Sequence, residues 1–207
     1  MRVLTKFAAA TVTLAALSLS ATSMAKVTTG DKIPDMTVRD SNGATHNLSD
    51  FEGKTLILEW TNEGCPYVQK HYDSENMQNL QKSATADGET VWLTVISSAP
   101  GTQGYKDGDG ANKQMAEWDA APTAVILDPE GDMGRTFNAR TTPHMYVIKP
   151  DQTLVYQGAI DDNRSSNPAT IEGAENYVAS ALADLDAGRP VATAETAPYG
   201  CSVKYKS

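Results

Sequence analysis

In Thr55-Leu56-Ile57-Leu58-Glu59-Trp60-Thr61-Asn62-Glu63-Gly64-Cys65-Pro66-Tyr67-Val68, an apolar run passes through a short polar turn into a cysteine and a proline. The run Thr55–Trp60 has the aliphatic and aromatic character of a core strand. Pro66 suits the first turn of a helix, where its missing N–H costs nothing. Cys65 therefore stands at a helix start, where the positive end of the macrodipole and unpaired backbone N–H groups favour thiolate over thiol. The thiolate is the form that attacks disulfides and peroxides. The chain has only two cysteines, and the other is Cys201.

Outward from this segment the chain alternates strand and helix signals. Upstream, Met36–Arg39 and Ala44–Asn47 flank Asp40-Ser41-Asn42-Gly43, whose Asn-Gly predicts an N-terminal β-hairpin. Downstream, Pro66 to Ala84 predicts a helix with a break at Asp73-Ser74, and Thr90–Ile96 a strand buried on both faces. A long loop from Ser97 to Gly110 carries four glycines and Pro100. Then come a helix over Ala111–Ala120, a strand over Thr123–Leu127 and a short helix over Gly131–Ala139. Met145–Lys149 and Thr153–Gly158 predict a strand pair. Asp161-Asp162-Asn163-Arg164 after it reads as a charged turn in a loop that borders the site. The last helix is expected from Pro168 to Ala187, closed by Gly188. Residues 189–207 form a tail without periodicity that carries Cys201. The order is α/β with an antiparallel end.

Residues 1–25 read as a secretory signal peptide: Arg2 and Lys6, an apolar run from Phe7 to Leu19, and a small-residue cleavage site at Ser23-Met24-Ala25. The run is short and rich in Ala, Thr and Ser, so no membrane span is expected after cleavage. Residues 26–188 are then of a size for one domain with a sizeable core. The formal charge of the whole chain is −9. Residues 1–25 hold two bases and no acid, which leaves 15 basic against 26 acidic side chains, a net of −11. That sign excludes nucleic acid as an expected partner. In an oxidising compartment, periplasmic or secreted, an even cysteine count favours a disulfide.

The segment Glu59 to Val68 resembles the active-site segment of the thioredoxin superfamily, in its secreted thioredoxin-like and redoxin (AhpC/TSA-like) branch. Thr141-Thr142-Pro143-His144, ahead of Met145-Tyr146-Val147-Ile148, resembles the cis-proline element of that superfamily. The second motif cysteine of Cys-x-x-Cys falls at Val68, so this is a single-cysteine version. The resemblance implies a thioredoxin-like fold: a central mixed β-sheet flanked by helices, here with the N-terminal hairpin and the C-terminal tail added. It implies Cys65 as nucleophile, Thr142, Pro143 and Pro66 as substrate-binding positions, and Glu59, at the spacing of the buried acid, as a proton-transfer group. Glu59 also reads as a structural acid, hydrogen-bonded or solvated. Trp60 and Tyr67 are expected to pack around the site.

Cys201 is the only internal thiol available to resolve an oxidised Cys65. Three readings stand open for the pair. They are a reversible redox couple, a permanent staple worth about 4–5 kcal/mol in the loop-entropy model, or a Cys201 that stays free. The chemistry divides likewise between exchange with a protein or small-molecule disulfide, coupled to an external thiol reductant, and reduction of a peroxide. Peroxiredoxins carry a threonine three residues before the reactive cysteine, where this chain has Asn62, and an arginine near the cis-proline position, close to which this chain has Arg140. Disulfide exchange is the first reading, and a redox-inert binding module with both cysteines structural is the rival from another class. Cys65, Cys201 and His144 have the donor chemistry for copper(I) but lack ligand spacing, so neither metal nor cofactor is expected.

Overall fold

The computed structural model describes residues 26–207; the signal-peptide reading of residues 1–25 lies outside them. Alternation within buried strands organises the molecule. The strand Thr55–Trp60 (β3) is buried from Leu56 onward, with Leu56, Leu58 and Trp60 on one face and Ile57 and Glu59 on the other. Around it lies a seven-stranded mixed sheet, the thioredoxin-like arrangement, in the order β2-β1-β5-β4-β3-β7-β8. Its other strands are β1 (Thr37–Asp40), β2 (Thr45–Asn47), β4 (Thr90–Ile96), β5 (Ala124–Leu127), β7 (His144–Ile148) and β8 (Leu154–Gly158). Strands β3, β4 and β5 run parallel, β7 is antiparallel to β3, and β8 is antiparallel to β7.

Both faces are covered, as a near-continuous apolar strand requires. On the Ile57 face lie α1 (Pro66–Asp73), α2 (Asn76–Ala84), α3 (Gly108–Glu117) and α5 (Tyr177–Asp186). On the Leu58 face, Met133 and Phe137 of the α4 region (Asp132–Thr136) and Leu48 of a 3-10 turn (Leu48–Phe51) pack against Trp60, Leu93 and Tyr146. The N-terminal hairpin joins the sheet edge, β1 lying antiparallel to β5. The break between α1 and α2 falls at Glu75, whose φ of 59° is left-handed and ends the first helix.

Three elements depart from the sequence expectation. Helix α3 starts at Gly108 rather than Ala111 because the Asp107 carboxylate caps it, accepting from Gly110 N–H at 2.8 Å. The short helix stops at Thr136 rather than Ala139, and Asn138 then turns left-handed at φ 55°. The last helix is ten residues, not twenty. Pro168–Thr170 makes only a 3-10 turn, Gly173 breaks the path at φ 81°, and Asn176 opens α5 by accepting from Ala179 N–H. Just ahead of α5 the chain bonds to the loop after β8: Glu175 O accepts from Asp162 N–H, Glu175 N–H donates to Asp162 Oδ1, and Tyr177 N–H donates to Ile160 O.

The tail is ordered along its length. Ala194–Thr196 lies beside β8, with Gln157 N–H donating to Ala194 O and Thr196 N–H to Gln157 O. The chain then crosses to a second, two-stranded sheet in which β9 (Cys201–Ser202) pairs antiparallel with β6 (Thr141–Thr142). Beyond it, Val203 N–H donates to Arg140 O, Ala99 N–H to Lys204 O, and Tyr205 Oη to Ala139 O.

Candidate functional site

β3 delivers the chain to the site, and a turn fixes the cysteine that follows. Cys65 N–H donates to Asn62 O at 3.0 Å and Gly64 N–H to Asn62 Oδ1 at 2.9 Å. Asn62 Nδ2 donates to Gln103 O, and Gln103 Nε2 returns a bond to Gly64 O, both at 3.1 Å. The glycine-bearing loop after β4 thus clamps the turn.

Cys65 is the N-cap residue of α1, Pro66 takes the first helical position, and the Cys65 side chain makes no capping bond. Its sulfur turns instead to β6 and β9. Sγ lies 3.0 Å from the carbonyl oxygen of Thr142, to which the thiol donates, and accepts the Cys201 N–H at 3.4 Å. The Thr142–Pro143 peptide is cis, and Thr142 faces Cys201 across the β6–β9 pair. The fold thus brings Cys65, Thr142, Pro143 and Cys201 together over a sequence separation of 136 residues. Both cysteines are thiols. Cys65 is fully buried, whereas Pro66 is exposed at the rim. Burial first, then the hydrogen bond to Cys65 and the charge of Cys65, push the Cys201 thiol up to about 11.

Glu59 sits apart from the sulfurs in its contacts. Its carboxylate accepts from Tyr72 Oη (2.8 Å), Trp92 Nε1 (2.9 Å), Thr94 Oγ1 and Gln81 Nε2 (both 3.1 Å). Burial raises its pKa, and these four donors oppose the rise. Trp60 packs on the opposite face, its Nε1 donating to Ser97 Oγ, while Tyr67 lies edge-on to Tyr199 with ring centroids 5.8 Å apart. The ring of His144 is engaged away from the cysteines: Nδ1 accepts from Arg140 N–H and lies 3.1 Å from Tyr146 Oη.

A polar cluster that sequence reasoning missed anchors the tail beside the thiols. Lys70, fully buried on α1, donates to Asp161 Oδ2 at 3.0 Å and to Asn163 O at 2.8 Å. Tyr199 Oη donates to Asp161 Oδ1, and His71 Nε2 lies 3.4 Å from the same hydroxyl. Asn76 Nδ2 donates to His71 Nδ1 at 2.9 Å, which puts the ring proton on Nε2. Burial, the largest cause, lowers the His71 pKa to about 4, Asp161 opposing and Lys70 assisting. Within the charged turn Asp161 is a buried anchor, while Asp162 and Arg164 remain exposed. A lysine within a helical pattern reads as surface, and nothing in the sequence signals that Lys70 meets Asp161.

The fold and this thiol pair define a thioredoxin-like protein with a cysteine at the start of its first helix and a second cysteine carried to it by the C-terminal tail. The Redoxin family model matches residues 28–177, and the chain belongs to that family. It is 25% identical over 144 residues to thiol-disulfide oxidoreductase ResA of Bacillus subtilis (strain 168), covering 61% of this chain and 79% of that protein. Among solved structures, an uncharacterized conserved protein of Geobacillus kaustophilus superposes with a TM-score of 0.74 at 22% identity, over 86% of this chain and 93% of the other. A hypothetical protein of Sinorhizobium meliloti gives 0.72 at 18%, over 88% and 97%. At these identities the structural likeness concerns the fold.

Thr142 Oγ1 is buried without a hydrogen-bond partner, while the contact to Cys65 uses the backbone of that residue. Thr142→Val should therefore leave unfolding free energy within about 1 kcal/mol of wild type or raise it, measured by urea denaturation; a loss above about 2 kcal/mol would show that the hydroxyl is bonded. His71 is held neutral, so its depressed pKa contributes stability that is complete above the unfolded value of 6.5 and is lost as pH falls toward about 4. Between pH 7 and 4.5 this amounts to about 2–3 kcal/mol at most. His71→Gln should flatten the fall in urea midpoint over that interval, and an unchanged pH profile would count against a neutral buried imidazole.

Proposed function

We propose that this protein is a thiol–disulfide oxidoreductase of the cell envelope in which Cys65 attacks a substrate disulfide and Cys201 resolves the product. The observation that carries the reading is the seat of Cys65 Sγ, within 3.4 Å of the Cys201 N–H on a strand that lies opposite Thr142. Membership of the Redoxin family and the name of the Bacillus relative support disulfide exchange as the chemistry.

In the first step the Cys65 thiolate attacks one sulfur of the substrate disulfide, forming a mixed disulfide and releasing the other sulfur as a thiolate that takes a proton from solvent. In the second step the Cys201 thiolate attacks Cys65 Sγ. A Cys65–Cys201 disulfide forms, and the second substrate sulfur leaves as a thiol. An external thiol reductant, passing two electrons to the pair, restores both thiols. Thr142 and Pro143 supply the substrate-side backbone, and Pro66 its exposed rim. Glu59, saturated by four donors, is a positioning residue that joins β3 to β4, α1 and α2.

Peroxide reduction has less support, because the residue three before Cys65 is Asn62 and its amide is spent on Gly64 and Gln103. The sequence of residues 1–25 supports a periplasmic or secreted location. No helix among the described residues is long and apolar enough to cross a membrane.

The test is a reductase assay on a protein disulfide such as insulin. Cys65→Ser should reduce turnover to background. Cys201→Ser should accumulate protein joined to substrate through Cys65, visible as a mass adduct that dithiothreitol removes. Wild-type turnover by Cys65→Ser would overturn the proposal.

A further inference from the structure

The placement of β9 creates a conflict that the chemistry must resolve. Cys65 is fully buried, and its sulfur is enclosed by the Thr142 carbonyl on one side and the Cys201 amide on another. The strand edge beside the cis-proline is also taken, by Cys201 and Ser202. A thiol with no accessible surface cannot meet the disulfide of another molecule. One of its covers has to move, and the covers differ in how firmly they are held.

Cys65 and Thr142 belong to the framework: Thr142 is buried, and β7, which follows it, has all five residues buried. The tail is held unevenly. Tyr199 is buried and bonded into the Asp161–Lys70–His71 cluster. From Gly200 to Ser207 no residue is fully buried, and the bonds that an opening must break are few and lie toward the end of the chain: Val203 N–H to Arg140 O, Ala99 N–H to Lys204 O, Tyr205 Oη to Ala139 O and Arg135 to Lys206 O. The boundary falls at Gly200, with φ at +131°, where an added Cβ would lie 2.0 Å from the Thr142 carbonyl oxygen. Only glycine allows the tail to turn there and lie against β6.

We propose, resting on the oxidoreductase reading above, that residues 200–207 are a hinged gate anchored by Tyr199, which lifts β9 from β6 to admit an extended, disulfide-bearing polypeptide and returns to deliver Cys201. The open gate frees the Thr141–Thr142 edge for backbone pairing with substrate and exposes Cys65. The closed gate returns Cys201 to its place against Cys65, where it resolves the mixed disulfide as balanced above. The resulting Cys65–Cys201 bond staples the gate shut, so the oxidised protein cannot take a second substrate until the external reductant opens that bond. Gate position and redox state are therefore one variable. The weakly buried, two-residue strand is the low-stability element from which local opening is drawn.

The test uses the full chain and reads accessibility rather than turnover. In a Cys201→Ser background, where Cys65 is the single thiol, iodoacetamide alkylation of Cys65 is timed by mass spectrometry with and without Gly200→Ala. The added methyl cannot fit the closed gate, so Gly200→Ala should accelerate alkylation by about tenfold or more, a shift toward the open state of at least 1.4 kcal/mol. Equal rates in the folded proteins would overturn the gate. Native-state hydrogen exchange on reduced wild type answers the case in which Gly200→Ala does not fold. The Cys201 and Val203 amides should exchange well before the amides of β3 and β7, and exchange of all of them only by global unfolding would overturn it. Alkylation needs no disulfide substrate. Unaccelerated alkylation with an active wild type removes the gate alone, and an accelerated thiol in a protein inactive on disulfides removes the oxidoreductase reading alone.

Discussion

The site depends on the pairing of two residues with two: Thr141–Thr142 with Cys201–Ser202. This short ladder sets Cys201 opposite Thr142, whose carbonyl accepts a hydrogen bond from the Cys65 thiol, so one register decides which residue of the tail meets the thiol. A shift of one residue would turn the Cys201 side chain to the other face of the pair and put another residue opposite Thr142. The pairing itself contributes little burial. Its position is secured by what lies on either side, Thr196 beside β8 and Tyr205 against Ala139, and above all by Tyr199 in its buried polar cluster.

That cluster holds the tail over Cys65 from a single buried point. A buried lysine and aspartate, paired at 3.0 Å, are costly to separate once formed. Tyr199 bonds to that pair and stacks edge-on against Tyr67 of α1. The anchor therefore sits on the helix capped by Cys65, so the approach of the tail is referenced to that cysteine's own element. Glu59 performs a parallel task deeper in the core. Its four side-chain donors come from α1, α2 and β4, fixing the helix that carries the cysteine against the sheet.

The strands and the thiol were the legible part of the sequence. The apolar runs at 55–60 and 90–96 can be nothing but core strands in a chain of this order, and the Cys-Pro junction marks a helix start by local chemistry alone. The Asn-Gly hairpin is likewise a local signal. What escaped was set by tertiary partners. The last helix is shorter than its pattern predicts: Ile171 and Ala174 keep helical spacing, but Gly173 turns left-handed and Glu175 and Tyr177 bond to the loop after β8. Lys70 and His71 follow an ordinary amphipathic pattern, and their burial depends on Asp161, which lies 91 residues after Lys70. Gly200 is unremarkable in sequence and becomes obligatory only when the Thr142 carbonyl is seen against it. Cys201 is legible as the one other thiol, with its relation to Cys65 left open, but the strand that carries it has no periodicity to announce it.

The measurement that tests this account most directly is a graded thiol–disulfide titration of the purified protein, with Cys65 and Cys201 followed separately by peptide mass mapping. The account predicts a Cys65–Cys201 linkage that opens and closes at a potential between about −120 and −270 mV, the range of working dithiol couples. A linkage that persists below about −300 mV would mark a structural staple, and two thiols that never join would leave Cys65 without its internal partner. Either of these results would contradict it.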